Sequence, residues 1–199
     1  MKTLLKTVLT MAMTALVLSA SVLNSSAAVN CRKLELSPSN PDIKKVIVTG
    51  NAKVYLVQSS REWVTYDENL ADKVTIKQLG NTLTVSSSDE NPVSITVYVK
   101  DIYRIDASES AVVKTSGKFN VDHLQVMLKD NACARVKACT KSLYTVIMDK
   151  ANLELLGTTD KHIAKHHGFS NLNMEKFAAL STENAPLDEA IALNINKKK

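Results

Sequence analysis

The sequence predicts an all-β protein built as a β-solenoid of about 20-residue coils, with an inserted hairpin region in its N-terminal half. Three observations predict it. A small residue preceded by polar or turn-forming residues recurs at Ala111, Ala132, Ala151 and Ser170, spaced 21, 19 and 19 residues apart. Alternate apolar residues mostly follow each anchor: Val113; Ala134 and Val136; Leu153 and Leu155; Leu172 and Met174. Strand-type alternation at a period near 20 marks coils that can bury an apolar face only by stacking on their neighbours. Finally, Val, Ile and Thr dominate the segments between turns, the composition that a pleated, half-buried surface favours.

The first 28 residues read as an export signal rather than as part of the fold. Lys2 and Lys6 start the segment with positive charge, Val8 to Leu23 is an apolar run, and Ser26-Ala27-Ala28 forms a small-residue cleavage site, with cleavage expected after Ala28. Residues 29–43 form a polar lead-in. Residues 44–199 then form a single solenoid domain, with repeat coils over about 103–175 and a capping tail over about 176–199. No transmembrane segment is expected in the mature chain. Its formal charge falls from +5 to +3 once Lys2 and Lys6 are removed. That mildly basic balance lacks the basic stripe interleaved with aromatics that nucleic-acid binding needs. The chain is therefore expected in the periplasm, at the cell surface or outside the cell.

Taken in order, Lys45–Thr49 and Ala52–Leu56 read as strands joined through Gly50-Asn51, one coil set apart from the rest by an insertion over about 58–101. Within the insertion, Glu62–Tyr66 alternates as a strand, Asn69–Asp72 is a short turn, and Gly80-Asn81 joins two strands as a hairpin with a slightly longer loop. Val93 to Val99 is the cleanest period-two strand in the chain. From Tyr103 the coils stack. The positions eight, six and four residues before each anchor make interior columns: Tyr103, Leu124, Leu143, His162; then Ile105, Val126, Thr145, Ala164; then Ala107, Leu128, Ile147, His166. The columns turn polar at the last coil, which reads as fraying or a cap. Ile191, Leu193 and Ile195 alternate as a final strand, and Lys197 to Lys199 discourage edge-to-edge pairing after it.

These pieces, in this order, carry a resemblance. The stretch Val46-Ile47-Val48-Thr49-Gly50-Asn51-Ala52-Lys53-Val54-Tyr55-Leu56, then Asn69–Val74, the hairpin around Gly80-Asn81, the strand Ser94–Val99 leading into Ile105–Ser108, and the later repeats are similar to the bacterial auto-transporter adhesin, head GIN domain family. The resemblance covers roughly residues 43–175. It implies a secreted, right-handed parallel β-helix of unknown molecular function. Family turns of the Ser-Gly-Ser-Gly-Asp type are replaced here by Glu109-Ser110, Asp130-Asn131 and Asp149-Lys150. No translocator domain follows in this sequence, so the chain is not expected to act as an autotransporter by itself.

The chemistry on offer is sparse. Glu109, Asp130 and Asp149 stand two residues before successive anchors. Stacked coils would align the three carboxylates roughly 5 Å apart, an arrangement that invites a cation such as Ca²⁺. The competing reading is that these are turn residues bonding their own backbone, and no cofactor is otherwise called for. His162, His166 and His167 cluster in sequence but fall apart along a strand. Cys133 and Cys139 could form a disulfide only if the chain bends between them, since six residues of straight strand separate them by about 20 Å. Trp63, Tyr55 and Tyr66 offer either an aromatic platform or core packing. Nothing resembles a nucleophile elbow or a phosphate loop. The expectation is a non-enzymatic, adhesin-like binding module of the envelope or exterior, whose partner is a surface glycan or an envelope protein. The alternative is a lyase-like carbohydrate enzyme using the acidic column with a bound cation.

Overall fold

The computed structural model describes residues 31–36, 41–117 and 119–186. The signal segment, the cleavage site and the final strand read at 191–195 lie outside the described residues. The fold is all-β, as expected. Its strands are β1 (Cys31–Glu35), β2 (Lys45–Gly50), β3 (Ala52–Gln58), β4 (Trp63–Asp67), β5 (Val74–Leu79), β6 (Thr82–Ser87), β7 (Val93–Val99), β8 (Arg104–Ala107), β9 (Val112–Ser116), β10 (Phe119–Asn120), β11 (His123–Leu128), β12 (Cys133–Ile147), β13 (Asn152–His166) and β14 (Asn171–Pro186). One six-residue 3₁₀ turn, Glu68–Lys73, interrupts them; the Asp67 carboxylate caps it by accepting the Asn69 N–H.

All the strands belong to one curled sheet, and β12 is its corner. The first part of β12 pairs with β9, its middle with β10 and its last part with β11. One arm of the sheet runs from β12 through β11, β8, β2 and β6 to β5. The other runs through β9, β3, β7 and β4 to β1. Strands β13 and β14 continue along the whole length of β12, every pair parallel. The register repeats what the columns imply: Leu124 stands beside Leu143, and Leu143 beside His162.

The hairpin region is no excursion from this sheet. β6 pairs parallel with β2, and β7 parallel with β3, on the side away from β8 and β9. The Gly80-Asn81 loop between β5 and β6 contains just those two residues, since Leu79 already pairs with Thr82. This is tighter than the sequence suggests, and Gly80 takes the left-handed conformation it needs (φ 56°). Antiparallel strands finish this side: β5 on one arm, β4 and β1 on the other.

The core lies between the two arms and is one continuous cluster. Val46, Val48, Ile105, Val126, Leu128, Leu143 and Ile147 enter it from one arm, and Val54, Leu56, Val113, Leu153 and Leu155 from the other. Each fully buried Leu, Ile or Val contributes about 1.5–3 kcal/mol relative to exposure. Three column positions depart from expectation. Tyr103 stands half exposed at 48% because it precedes β8 at a bend, outside the pleat that turns Ile105 inward. His162 and Ala164, read as part of a fraying end, are wholly buried.

Buried His162 gives the fold a pH dependence. Its Nε2 lies 3.0 Å from Thr145 Oγ1, and its ring meets Phe177 edge-on at 5.5 Å. Nδ1 has no hydrogen-bond partner among the described residues. Burial holds the imidazole pKa below its ordinary value, because a charged ring loses its hydration there. An unfolded chain takes up a proton near pH 6.5, where the folded chain does not. Stability is therefore full above that value and falls as pH drops from it toward the lowered folded pKa, by up to about 1.4 kcal/mol per pH unit. Urea midpoints measured at pH 7.5 and 5.5 should show this loss, and a Thr145→Val, His162→Leu double variant should show a shallower one.

Candidate functional site

The three acidic residues singled out in the sequence are brought together, with a structural task attached. Glu109, Asp130 and Asp149 are the only non-glycine residues at positive φ among those described, at 64°, 60° and 59°. Gly50 and Gly168 hold the equivalent places in their own turns, at 72° and 75°. In this left-handed conformation a side chain with a Cβ is disfavoured, Asp and Asn less than others. The column is thus a line of tight turns between the two arms. Asp130 Oδ2 accepts the Glu109 N–H at 3.0 Å, and Asp149 Oδ2 accepts the Asp130 N–H at 3.1 Å. Each of these two carboxylates satisfies an amide one row back that the turn leaves without a strand partner. Among the described residues no three His, Cys, Asp or Glu side chains converge so as to hold a metal ion.

The other candidates separate. His166 and His167 are exposed while His162 is in the core. Cys133 and Cys139 are free thiols. They lie six residues apart along one strand, β12, which pairs through both positions with Asn152 and Thr158 of β13 and so holds them apart. The Cys133–Cys139 bridge therefore does not form. Trp63 stacks on Tyr98, not on Tyr55 or Tyr66, with ring centroids 4.0 Å apart and planes 15° apart. Lys33 Nζ sits 5.2 Å over the same indole. Tyr66 packs against the core.

Sequence reasoning missed a surface groove of about 780 Å³ at the corner where β10 and the middle of β12 turn from one arm to the other. Its walls carry Asp101, Tyr103, Asn120, Asp122, His123, Lys141 and Asp160. Asp122, Lys141 and Asp160 precede the paired residues His123, Ser142 and Lys161, so they follow one another row by row. Lys141 Nζ meets Asp122 Oδ1 at 3.0 Å, and Lys44 Nζ meets Asp101 Oδ2 at 3.2 Å. Asn120 is fixed through its backbone: its N–H donates to Gln58 Oε1 and its carbonyl accepts from Gln58 Nε2, each at 2.8 Å. The result is a half-exposed phenol beside three carboxylates, an amide and an imidazole, on a rigid corner. Corner residues interrupt strand alternation, so no periodic signal marks them. A smaller groove of about 310 Å³ crosses the outer face of β12 and β13, spanned by the 3.1 Å Arg135–Glu154 ion pair.

Comparison with known proteins agrees with this architecture. The family model described as "Putative auto-transporter adhesin, head GIN domain" matches residues 42–185. Among solved structures, a putative adhesin from Parabacteroides distasonis is similar with TM-score 0.58 at 14% identity, over 78% of this chain and 77% of that one. A putative adhesin from Parabacteroides merdae gives TM-score 0.54 at 15% identity, over 78% and 76%. A putative lipid binding protein from Parabacteroides distasonis gives 0.53 at 17%, over 78% and 77%. At such identities the likeness speaks for the fold alone. No curated protein matches the chain.

Proposed function

This chain belongs to the auto-transporter adhesin, head GIN domain family, and on that footing we propose that it is an exported, non-enzymatic binding module of the bacterial envelope or exterior whose corner groove engages a surface glycan. The proposal includes cleavage after Ala28 and a mature domain that is a right-handed parallel β-helix. The parallel ladders, with each row displaced by about 20 residues from the next, support that architecture.

The observation that carries the ligand class is the composition of the groove. Tyr103 offers an exposed ring on which the apolar face of a sugar can stack. Asp122, Asp160 and Asn120 stand around it as acceptors and donors for hydroxyl groups, a few polar anchors beside an apolar surface as small-ligand sites require. The lyase alternative needs free carboxylates beside a base in the acidic column. Two of those three accept backbone amides instead, which favours binding over chemistry.

The test is a glycan array probed with residues 29–199, with Ca²⁺ and with chelator. Tyr103→Ala should weaken any glycan that binds by about 10- to 100-fold, the usual cost of removing an aromatic anchor. An Asp130→Asn, Asp149→Asn variant that remains folded should bind like the parent. Calcium-dependent binding lost in that double variant would move the site to the acidic column. An array with no binding at all would overturn the glycan reading and move the search to an envelope protein.

A further inference from the structure

The outer faces of the two arms carry their charges differently. On one, Lys45 and Arg104 both meet the carboxylate of Asp106, at 2.7 and 2.6 Å, so each cation has a counterpart within the sheet. On the other, β3, β9 and the first parts of β12 and β13 set Lys53, Lys114, Arg135 and Lys137 against the one carboxylate of Glu154. Glu154 is committed to Arg135. Lys53, Lys114 and Lys137 have no ion-pair partner among the described residues. Register sets these three in a line. Val112 of β9 stands between Lys53 of β3 and Cys133 of β12. Lys114 lies two residues further along, between Tyr55 and Arg135, and Lys137 lies two residues beyond Arg135. Each lysine is thus one strand over and two residues along from the last, a step of about 8 Å for strands about 4.8 Å apart. Val54, Val113 and Val136, which alternate with them, are buried, so the three lysines share the outward face. Tyr55 lies within the line, its ring 5.5 Å from Lys53 Nζ. Lys114 opens onto the groove of about 310 Å³, whose walls carry Asn152, Asn171 and Asn173.

We propose that this line is a second binding surface, separate from the corner groove, and that its occupant is a linear acidic polysaccharide. The carboxylates of the polymer meet Lys53, Lys114 and Lys137, and its hydroxyls meet the asparagine side chains. Charge complementarity selects a polyanion. Evenly stepped ammonium groups without counterparts attract a chain whose charges repeat, rather than one small anion. Asparagine amides both donate and accept, as sugar hydroxyls require. A membrane surface would instead call for apolar side chains to insert among the lipids. Of the large exposed apolar residues described, Leu79, Tyr103, Phe169 and Leu180, none projects from β3, β9, β12 or β13. The three lysines are far apart in sequence, so only the register of the parallel strands brings them into line.

Binding of residues 29–199 to polygalacturonate, with chelator present, tests the inference. The polymer should bind at low ionic strength and weaken as salt rises. Its fully methyl-esterified, uncharged form should bind at least about 10-fold more weakly. Lys114→Gln with Lys137→Gln should cost at least about 10-fold, because charge-assisted hydrogen bonds are lost. Lys114→Arg with Lys137→Arg keeps the charge and should keep the binding, which separates lost charge from lost fold. Lys77→Gln with Lys165→Gln removes the same charge from β5 and the last part of β13, and should stay within about twofold of the parent. Equal losses in the two glutamine variants, an equal loss in the arginine variant, or equal binding of the esterified polymer would overturn the proposal, as would no binding. Tighter binding to phosphatidylglycerol vesicles or to a single-stranded oligonucleotide than to the polymer would overturn it too, and would give the occupant's class instead.

Discussion

Replacing Gly157 by alanine should cost the protein at least about 3 kcal/mol, among the largest effects expected of any single methyl group here. Gly157 lies within β13 where the strand rounds the corner, at φ 101°. A Cβ built there would stand 2.1 Å from the carbonyl oxygen of Ala138, its partner in β12. Neither atom can swing away, because both belong to backbone in a parallel ladder that continues on each side. Gly50 is the same case at the other arm junction: φ is 72° and the added Cβ would lie 1.9 Å from Ser87 O. Gly80 supplies the control. It also has positive φ, at 56°, but nothing lies within 4 Å of an added Cβ, so Gly80→Ala should cost only about 1–2 kcal/mol for the left-handed backbone. Thermal unfolding should rank the three. At roughly 2–4 °C per kcal/mol for a domain this size, Gly157→Ala and Gly50→Ala should each lower Tm by at least about 6 °C, and Gly80→Ala by clearly less.

Phe119→Ala should be comparably damaging, at about 3–5 kcal/mol. Phe119 is among the largest wholly buried side chains, yet it sits in a strand of two residues, β10. The short pairing of Phe119 with Ala138 and of Asn120 with Cys139 holds the chain against the corner of β12. The side chain fills the core where the two arms meet, and alanine would leave a cavity bounded by rigid strands with little freedom to close. Because Asn120 and Val121 line the groove next door, the variant should lose ligand as well as stability. Phe119→Leu, which refills most of the volume, should recover the greater part of both. Calorimetry with a binding titration on the two variants measures this.

Most of the strands were legible because alternation reports which face of a residue meets the core, and that signal is local. Val93–Val99 and the rows through Val126 and Leu143 follow it directly. The acidic column was legible as a column, and the turn reading of it stood beside the cation reading, but nothing in the sequence showed that the Asp130 and Asp149 carboxylates each reach an amide one row back. A carboxylate that accepts an amide one row back looks, in sequence, like a carboxylate awaiting a cation; only the backbone angle at Glu109, Asp130 and Asp149 separates the two. Tyr103 and the groove stayed hidden for a related reason, since a bend cancels the periodic signal that would have assigned each side chain a face. The placement of β6 and β7 was hidden too. Apolar patterning states that a strand needs neighbours, and nothing in it says that those neighbours are β2 and β3.

That last placement bears on how the chain reaches its native state. From β11 onward, growth is by accretion: each new segment finds its partner about 19 residues back, as Thr159 does with Thr140. β2 and β3 are different. Lys45 is flanked by Thr82 on one side and Arg104 on the other, so this pair stays incomplete until roughly the first half of the polypeptide exists. Contacts that span so much chain carry the larger entropic penalty and slow folding. The slowest event during synthesis should thus be the docking of 82–116 around 45–58, after which the remaining rows add in sequence order.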